Sequence, residues 1–172
     1  MIIKRVWAMP SAWTFTIKPI SELLQRYVGN GKNWIDPFCG KSELAEFRND
    51  LDEKIPNCEH KLALDFVNDI KGSFNGILFD PPYSGRQVGE LYTHLNKKTH
   101  RDDTNAYFYS SVKNAIAPKI KVGGYAISFG WNSNGFGKNR GFEIKEILLV
   151  AHGGHHNDTI VTVEVKNQGV LF

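Results

Sequence analysis

The sequence predicts an α/β domain built on a mostly parallel sheet of about seven strands, with the last two antiparallel. Three observations predict it. Trp34–Ile35 and Gly76 to Phe79 are apolar stretches that run straight into Asp36-Pro37 and Asp80-Pro81-Pro82. Such stretches suit strands buried on both faces, and proline ends them because it has no N–H to give to a ladder. Stretches with helical spacing separate the strands. At the end, FEIKEILLVAH and TIVTVEVK flank GGHHND and read as an antiparallel hairpin.

Composition sets the bounds. A chain of 172 residues, 41% hydrophobic and 12% aromatic, fits one folded domain spanning residues 1–172. Its net charge of +3, from 21 Lys and Arg against 18 Asp and Glu, neither requires nor excludes a nucleic acid. No apolar run reaches membrane-spanning length and the N-terminus lacks a signal-peptide core, so a cytoplasmic protein with no membrane partner is expected. Cys39 and Cys58 are too few for a disulfide framework and are expected to be reduced.

Taken in order, MIIKRVWAMP fits either a strand or an arm along the sheet. Ile20, Leu23, Leu24, Tyr27 and Val28 recur at helical spacing until Gly29 and Gly31 stop the pattern. NWIDPFCG then gives a short buried strand, its proline stop, and Gly40 where the backbone can turn closely. Only ELAEF remains for a helix before RNDL, the expected end of the second strand, so that first crossover helix must be abbreviated. HKLALDF reads as the third strand and GILF as the fourth. Residues 84–105 are polar and aperiodic, with Lys97, Lys98, His100 and Arg101 beside Asp102 and Asp103, and read as a long loop that is either solvated or meets substrate. Ala106 to Ile120 is helical by pattern, YAISFGW is the fifth strand, and a Gly/Asn-rich loop follows it. His152, His155, His156 and Asp158 read as part of a glycine-containing turn without metal-site spacing, so no metal is expected.

The exit of the fourth strand carries the chemistry. It holds an acid, two rigid carbonyls and an aromatic ring at the carboxyl edge of the sheet, where open α/β folds place ligands. An aromatic amine is a poor nucleophile because its lone pair is delocalised into the ring. Two acceptors aimed at its N–H groups, the Asp80 carboxylate and the Pro81 carbonyl held by Pro82, would draw the nitrogen toward tetrahedral geometry. Tyr83 can stack on the base, a contact worth roughly 1 to 3 kcal/mol.

DPPY, Asp80 to Tyr83, resembles the catalytic motif of the amino-methyltransferases of DNA, which use S-adenosylmethionine (SAM). DPFCG, Asp36 to Gly40, is similar to the DPFxG form of that family's SAM motif, and it precedes DPPY as the family order requires. The resemblance implies a Rossmann-like methyltransferase fold, SAM as cofactor and the N6 of a flipped DNA adenine as acceptor, with Asp80, Pro81, Pro82 and Tyr83 catalytic. It also implies that Asp36, Pro37, Phe38, Cys39 and Gly40 contact SAM. Phe15, Thr16 and Lys18 would lie near its methionine end, Asn49, Asp50 and Leu51 at its ribose, and Asp65 and Phe66 at its adenine, with Asp80 bordering both ligands. Ser42 stands where the family usually has a further glycine, which leaves the glycine contacts open. Little sequence remains for a separate target recognition domain, so a short or relaxed recognition site is expected. The alternatives are RNA adenine, cytosine N4, a glutamine amide, or a catalytically degenerate DNA-binding accessory subunit. Methyl transfer from a sulfonium needs no metal, because the leaving thioether is neutral.

Overall fold

A computed structural model describes residues 1–82 and 106–167, with no account of the side chains of Ala106 and Tyr107. In chain order the elements are β1 (Ile2–Trp7), α1 (Lys18–Val28), β2 (Trp34–Asp36), β3 (Phe47–Arg48), α2 (Ala63–Asp69), β4 (Phe74–Phe79), α3 (Ala106–Ile116), β5 (Ile120–Gly130), β6 (Phe142–Ala151) and β7 (Thr159–Lys166). The seven strands form one sheet in the order β1-β6-β7-β5-β4-β2-β3. β7 runs antiparallel to both of its neighbours, and every other pairing is parallel. The expected architecture is therefore present, closing hairpin included.

The period of two in the central strands divides the core. Leu78, Ile127 and Phe129 face one side with Val161, Val163, Leu148 and Val150, where α1 lays down Ile20, Leu23, Leu24 and Val28. Ile77, Phe79 and Ala126 face the other, against Phe66 and Val67 of α2 and Val112 and Ile116 of α3. Burying each such side chain contributes about 1.5 to 3 kcal/mol, so residues far apart in sequence act together to keep β4 at the centre.

Three expectations need correcting. HKLALDF is not a strand: Ala63, Phe66 and Val67 bury the face of α2 at the i, i+3, i+4 spacing of a helix. All that remains of a third strand is a parallel bridge between Asn49 and Glu59. The seventh strand comes instead from β1, which pairs with β6 from Ile2↔Glu146 to Trp7↔Ala151. Nor is there a helix between β2 and β3, since residues 37–46 form turns and bends. That segment is held extended by Glu46, whose N–H donates to Gly31 O at 3.1 Å and whose carboxylate accepts the Asn33 N–H at 2.6 Å. Gly31 has φ +72°, and a Cβ there would come within 1.6 Å of Leu44 O, so the close passage requires glycine. Finally, α3 stops at Ile116, with Pro118 in the 3-10 turn that follows, and β5 begins at Ile120, earlier than the pattern of YAISFGW predicts.

Buried polar groups fasten the layers. Glu146 on β6, whose side chain is fully buried, accepts a forked pair from Arg26 at 3.2 and 3.0 Å and the Tyr27 hydroxyl at 2.7 Å. Burial alone would push its carboxyl up, but the hydrogen bonds from Arg26 and Tyr27 outweigh burial and hold it down at about 2. Lys119 donates to the Val67, Asn68 and Ile70 carbonyls and so closes the C-terminal end of α2. His152 bridges the Ala8 carbonyl and the Thr159 hydroxyl, both at 2.8 Å, which fixes the exit of β1 against the β6–β7 turn. Among the described residues no helix is long and apolar enough to cross a membrane, and no group of three or more His, Cys, Asp or Glu is placed to hold a metal ion.

Candidate active site

The exits of β2, β3 and β4 come together at the carboxyl edge. After β2 the chain turns through an Asx turn, with the Asp36 carboxylate accepting the Phe38 N–H at 3.1 Å. The β2–β3 ladder continues beyond the strands, as Asn49 N–H donates to Asp36 O and Cys39 N–H to Asn49 O, both at 2.9 Å. Asn49 is buried. Its side-chain amide donates to Pro37 O at 3.1 Å and Lys61 O at 3.0 Å, and its side-chain oxygen accepts from Lys61 N–H at 2.9 Å. Asp50 accepts the Gly40 N–H at 2.9 Å on one oxygen and the Asp52 N–H at 2.8 Å on the other.

Rings join this loop to the fourth strand. Phe38 meets Phe79 edge-on at 5.4 Å and Tyr109 at 6.1 Å. Tyr109 of α3 donates its hydroxyl to the Pro82 carbonyl at 3.0 Å, so the exit of β4 is held from both sides. Pro81 is buried and Asp80 half-buried.

A cavity of about 810 Å3 opens here, within the roughly 300 to 1,000 Å3 of small-molecule sites. Phe15, Thr16, Phe38, Cys39, Gly40 and Asp80 line it. Of the other residues expected at a cofactor, Lys18, Asp36, Pro37, Asn49, Asp50, Leu51, Asp65 and Phe66 do not line it, and Asp36 is fully buried. Asn49 and Asp50 shape it from beneath, Phe66 is packed in the core, and Asp65 is exposed in the first turn of α2. Tyr83 and the basic cluster Lys97, Lys98, His100 and Arg101 lie outside the described residues.

Sequence reasoning missed one wall. Trp13 lies over Gly40, where a Cβ would come within 3.2 Å of the indole, and the Lys41 ammonium lies 4.9 Å above the same ring. Ser42, Glu43 and Leu44, together with Ser21, Leu24 and Gln25 of α1, also line the cavity. The one local signal was Ser42, whose hydroxyl accepts the Leu44 N–H at 3.3 Å and helps keep the segment extended.

Asp36 lies beneath the cavity, close to Asp50 and Asp80. Asp36 is fully buried, and one of its oxygens has no hydrogen-bond partner. Its carboxyl is pushed well above the ordinary range, first by burial and then by the charges of Asp80 and Asp50. The Cys39 thiol is also pushed up by burial, away from reactivity.

No family model matches the sequence, and no curated protein matches it. Solved structures do match the fold. TrmN from Thermus thermophilus aligns over 87% of this chain and 49% of its own, so this chain spans about half of that protein, with TM-score 0.56 and 17% identity. The magnesium protoporphyrin IX methyltransferase ChlM from Synechocystis PCC 6803, solved with bound SAM, aligns over 87% of this chain and 79% of its own (TM-score 0.57, 9% identity). The 1,6-didemethyltoxoflavin-N1-methyltransferase from Burkholderia thailandensis, with bound S-adenosylhomocysteine, aligns over 88% and 78% (TM-score 0.57, 11% identity). The fold is that of the SAM-dependent methyltransferases.

Proposed function

We propose that this chain is a SAM-dependent methyltransferase that places a methyl group on the exocyclic N6 of adenine in DNA. One observation carries the reading: Asp80, at the exit of β4 and followed by two prolines, lines the same cavity as Phe38, Cys39 and Gly40. Donor loop and acceptor carboxylate thus share one enclosure.

The residues suit SAM. Asp80 offers a carboxylate at the cavity wall, Phe38 gives an apolar wall, and Trp13 closes over the backbone at Gly40. Bound there, SAM would supply a methyl carbon made electrophilic by its sulfonium, the carbon–sulfur electron pair departing with a neutral thioether. Asp80 accepts one N–H of the incoming amine and the Pro81 carbonyl the other, which localises the nitrogen lone pair as it bonds to the methyl carbon. Hydrogen bonds to a charged acceptor are worth about 1.5 to 3 kcal/mol each. Asp80 then takes up the proton that the alkylated nitrogen releases. An adenine inside a duplex must first leave the stack, at a cost of a few kcal/mol, and stacking on Tyr83 offsets part of it.

The test is incubation with tritiated SAM and unmethylated DNA, with RNA and protein in parallel, followed by nucleoside analysis. Label in N6-methyldeoxyadenosine is expected. Label confined to cytosine, RNA or protein overturns the acceptor, and a chain that takes up no SAM is an accessory subunit.

A further inference from the structure

The loop after β2 spends its backbone donors on the protein itself. Phe38 N–H goes to the Asp36 carboxylate, Cys39 N–H to Asn49 O, Gly40 N–H to the Asp50 carboxylate, Ser42 N–H to Cys39 O and Leu44 N–H to the Ser42 hydroxyl. Doubly wound folds ordinarily offer an anion the amino end of the first crossover helix. Here residues 37–46 hold no helix, so that end is missing as well. An anionic group entering the cavity must therefore rely chiefly on side chains.

Among the described residues Lys41 is the one cation in the cavity lining, and the other charged lining groups, Glu43 and Asp80, are acids that repel an anion. Lys41 is exposed, and its ammonium lies 4.9 Å from the centre of the Trp13 ring. A ring face attracts a cation without neutralising its charge. The nearest acid in sequence is engaged elsewhere, since Glu43 pairs with Arg48 at 3.5 Å. Trp13 is itself set in place: its N–H donates to the Ser11 hydroxyl at 3.1 Å, its carbonyl accepts the Thr16 hydroxyl at 2.8 Å, and its ring lies against Gly40. Lys18, expected at the methionine end of the cofactor, stands outside the lining.

We propose that Lys41, steadied on the face of Trp13, receives the carboxylate at the amino-acid end of SAM. The inference rests on the SAM reading above and deepens it: a side-chain cation takes over the task of the absent helix end. It involves no acceptor, so it stands whether or not the methyl group goes to a DNA adenine.

Titration calorimetry on the full chain tests it without any acceptor. It compares SAM with decarboxylated SAM, which keeps the sulfonium, amine, ribose and adenine but has no carboxylate. Lys41→Met should weaken SAM binding by about tenfold or more and leave decarboxylated SAM within about twofold, because a charge-assisted contact is lost for the first ligand alone. Lys41→Arg should keep most of the affinity for SAM. Binding of the decarboxylated ligand also shows that each variant is folded. Unchanged SAM affinity in Lys41→Met overturns the proposal, as does an equal loss for both ligands, which would make Lys41 a general support of the cavity wall. If the wild type takes up neither ligand, the SAM reading falls and this proposal with it. If SAM binds through Lys41 but no methyl group reaches DNA, the proposal holds and only the acceptor is wrong.

Discussion

The Asp50 carboxylate holds the Gly40 amide at 2.9 Å and thereby ties the exit of β3 to the loop that follows β2. Its other oxygen caps Asp52, so this side chain acts on the cavity through the backbone it shapes. Asp80 lines the cavity itself, and the two acids should separate cleanly on mutation.

Asp80→Ala should cut methyl transfer by about a hundredfold or more while SAM affinity stays within a few-fold. Asp50→Ala should do the reverse, weakening SAM binding by about tenfold or more as two amides lose a charged acceptor. Titration calorimetry with SAM alongside single-turnover rates checks both, and loss of SAM affinity in the Asp80 variant would mean that the two roles are reversed.

Asp36 makes stability depend on pH with a definite sign. Its folded pKa lies above the ordinary 3.8 because the group is buried, so the folded chain binds a proton that the unfolded chain releases. Its contribution is fully present below 3.8 and is lost as pH rises through the folded value. Asp36→Asn should therefore melt higher than the wild type at pH 8 without ligand, with the difference shrinking toward pH 4. Melting curves across that range read the effect, and equal curves at every pH would contradict it.

The Glu146 cluster has the opposite sign. With a folded value of about 2 against an ordinary 4.5, its stabilisation is present above 4.5 and drains away as pH falls toward 2. Glu146→Ala should cost about 3 kcal/mol, the lower end for a broken buried pair, because Arg26 is half exposed. Urea denaturation at neutral pH measures the loss, and a cost under about 1 kcal/mol would place the pair among ordinary surface bridges.

Gly76→Ala should destabilise by about 1 to 3 kcal/mol through overpacking. The added Cβ would lie 2.6 Å from the Trp34 ring. Trimming the neighbour in a Gly76→Ala/Trp34→Leu pair should recover part of the loss in the same denaturation assay, whereas purely additive costs would argue against that contact.

Much of the sheet was legible because Asp36-Pro37 and Asp80-Pro81 punctuate apolar runs, and a proline stop is a local fact. The residues 63–69 were not. Ala63, Phe66 and Val67 form too short an apolar run to separate a period of two from one of 3.6, and the packing of α2 against α3 decides. The placement of β1 depends on partners over 140 positions away, from Ile2↔Glu146 onward. Of the cavity lining, Phe38, Cys39, Gly40 and Asp80 fall within motifs visible in the sequence, but the cover of Trp13 over Gly40 joins two irregular segments and leaves no periodic trace.

β1 runs in the same direction as β6, β5 and β4, so Met1 emerges on the far rim of the sheet from Asp80. A linker attached ahead of Met1 would leave the cavity mouth facing away from its anchor. Immobilising the protein on a sensor chip by its first residue should therefore keep the mouth accessible to ligands in the flow.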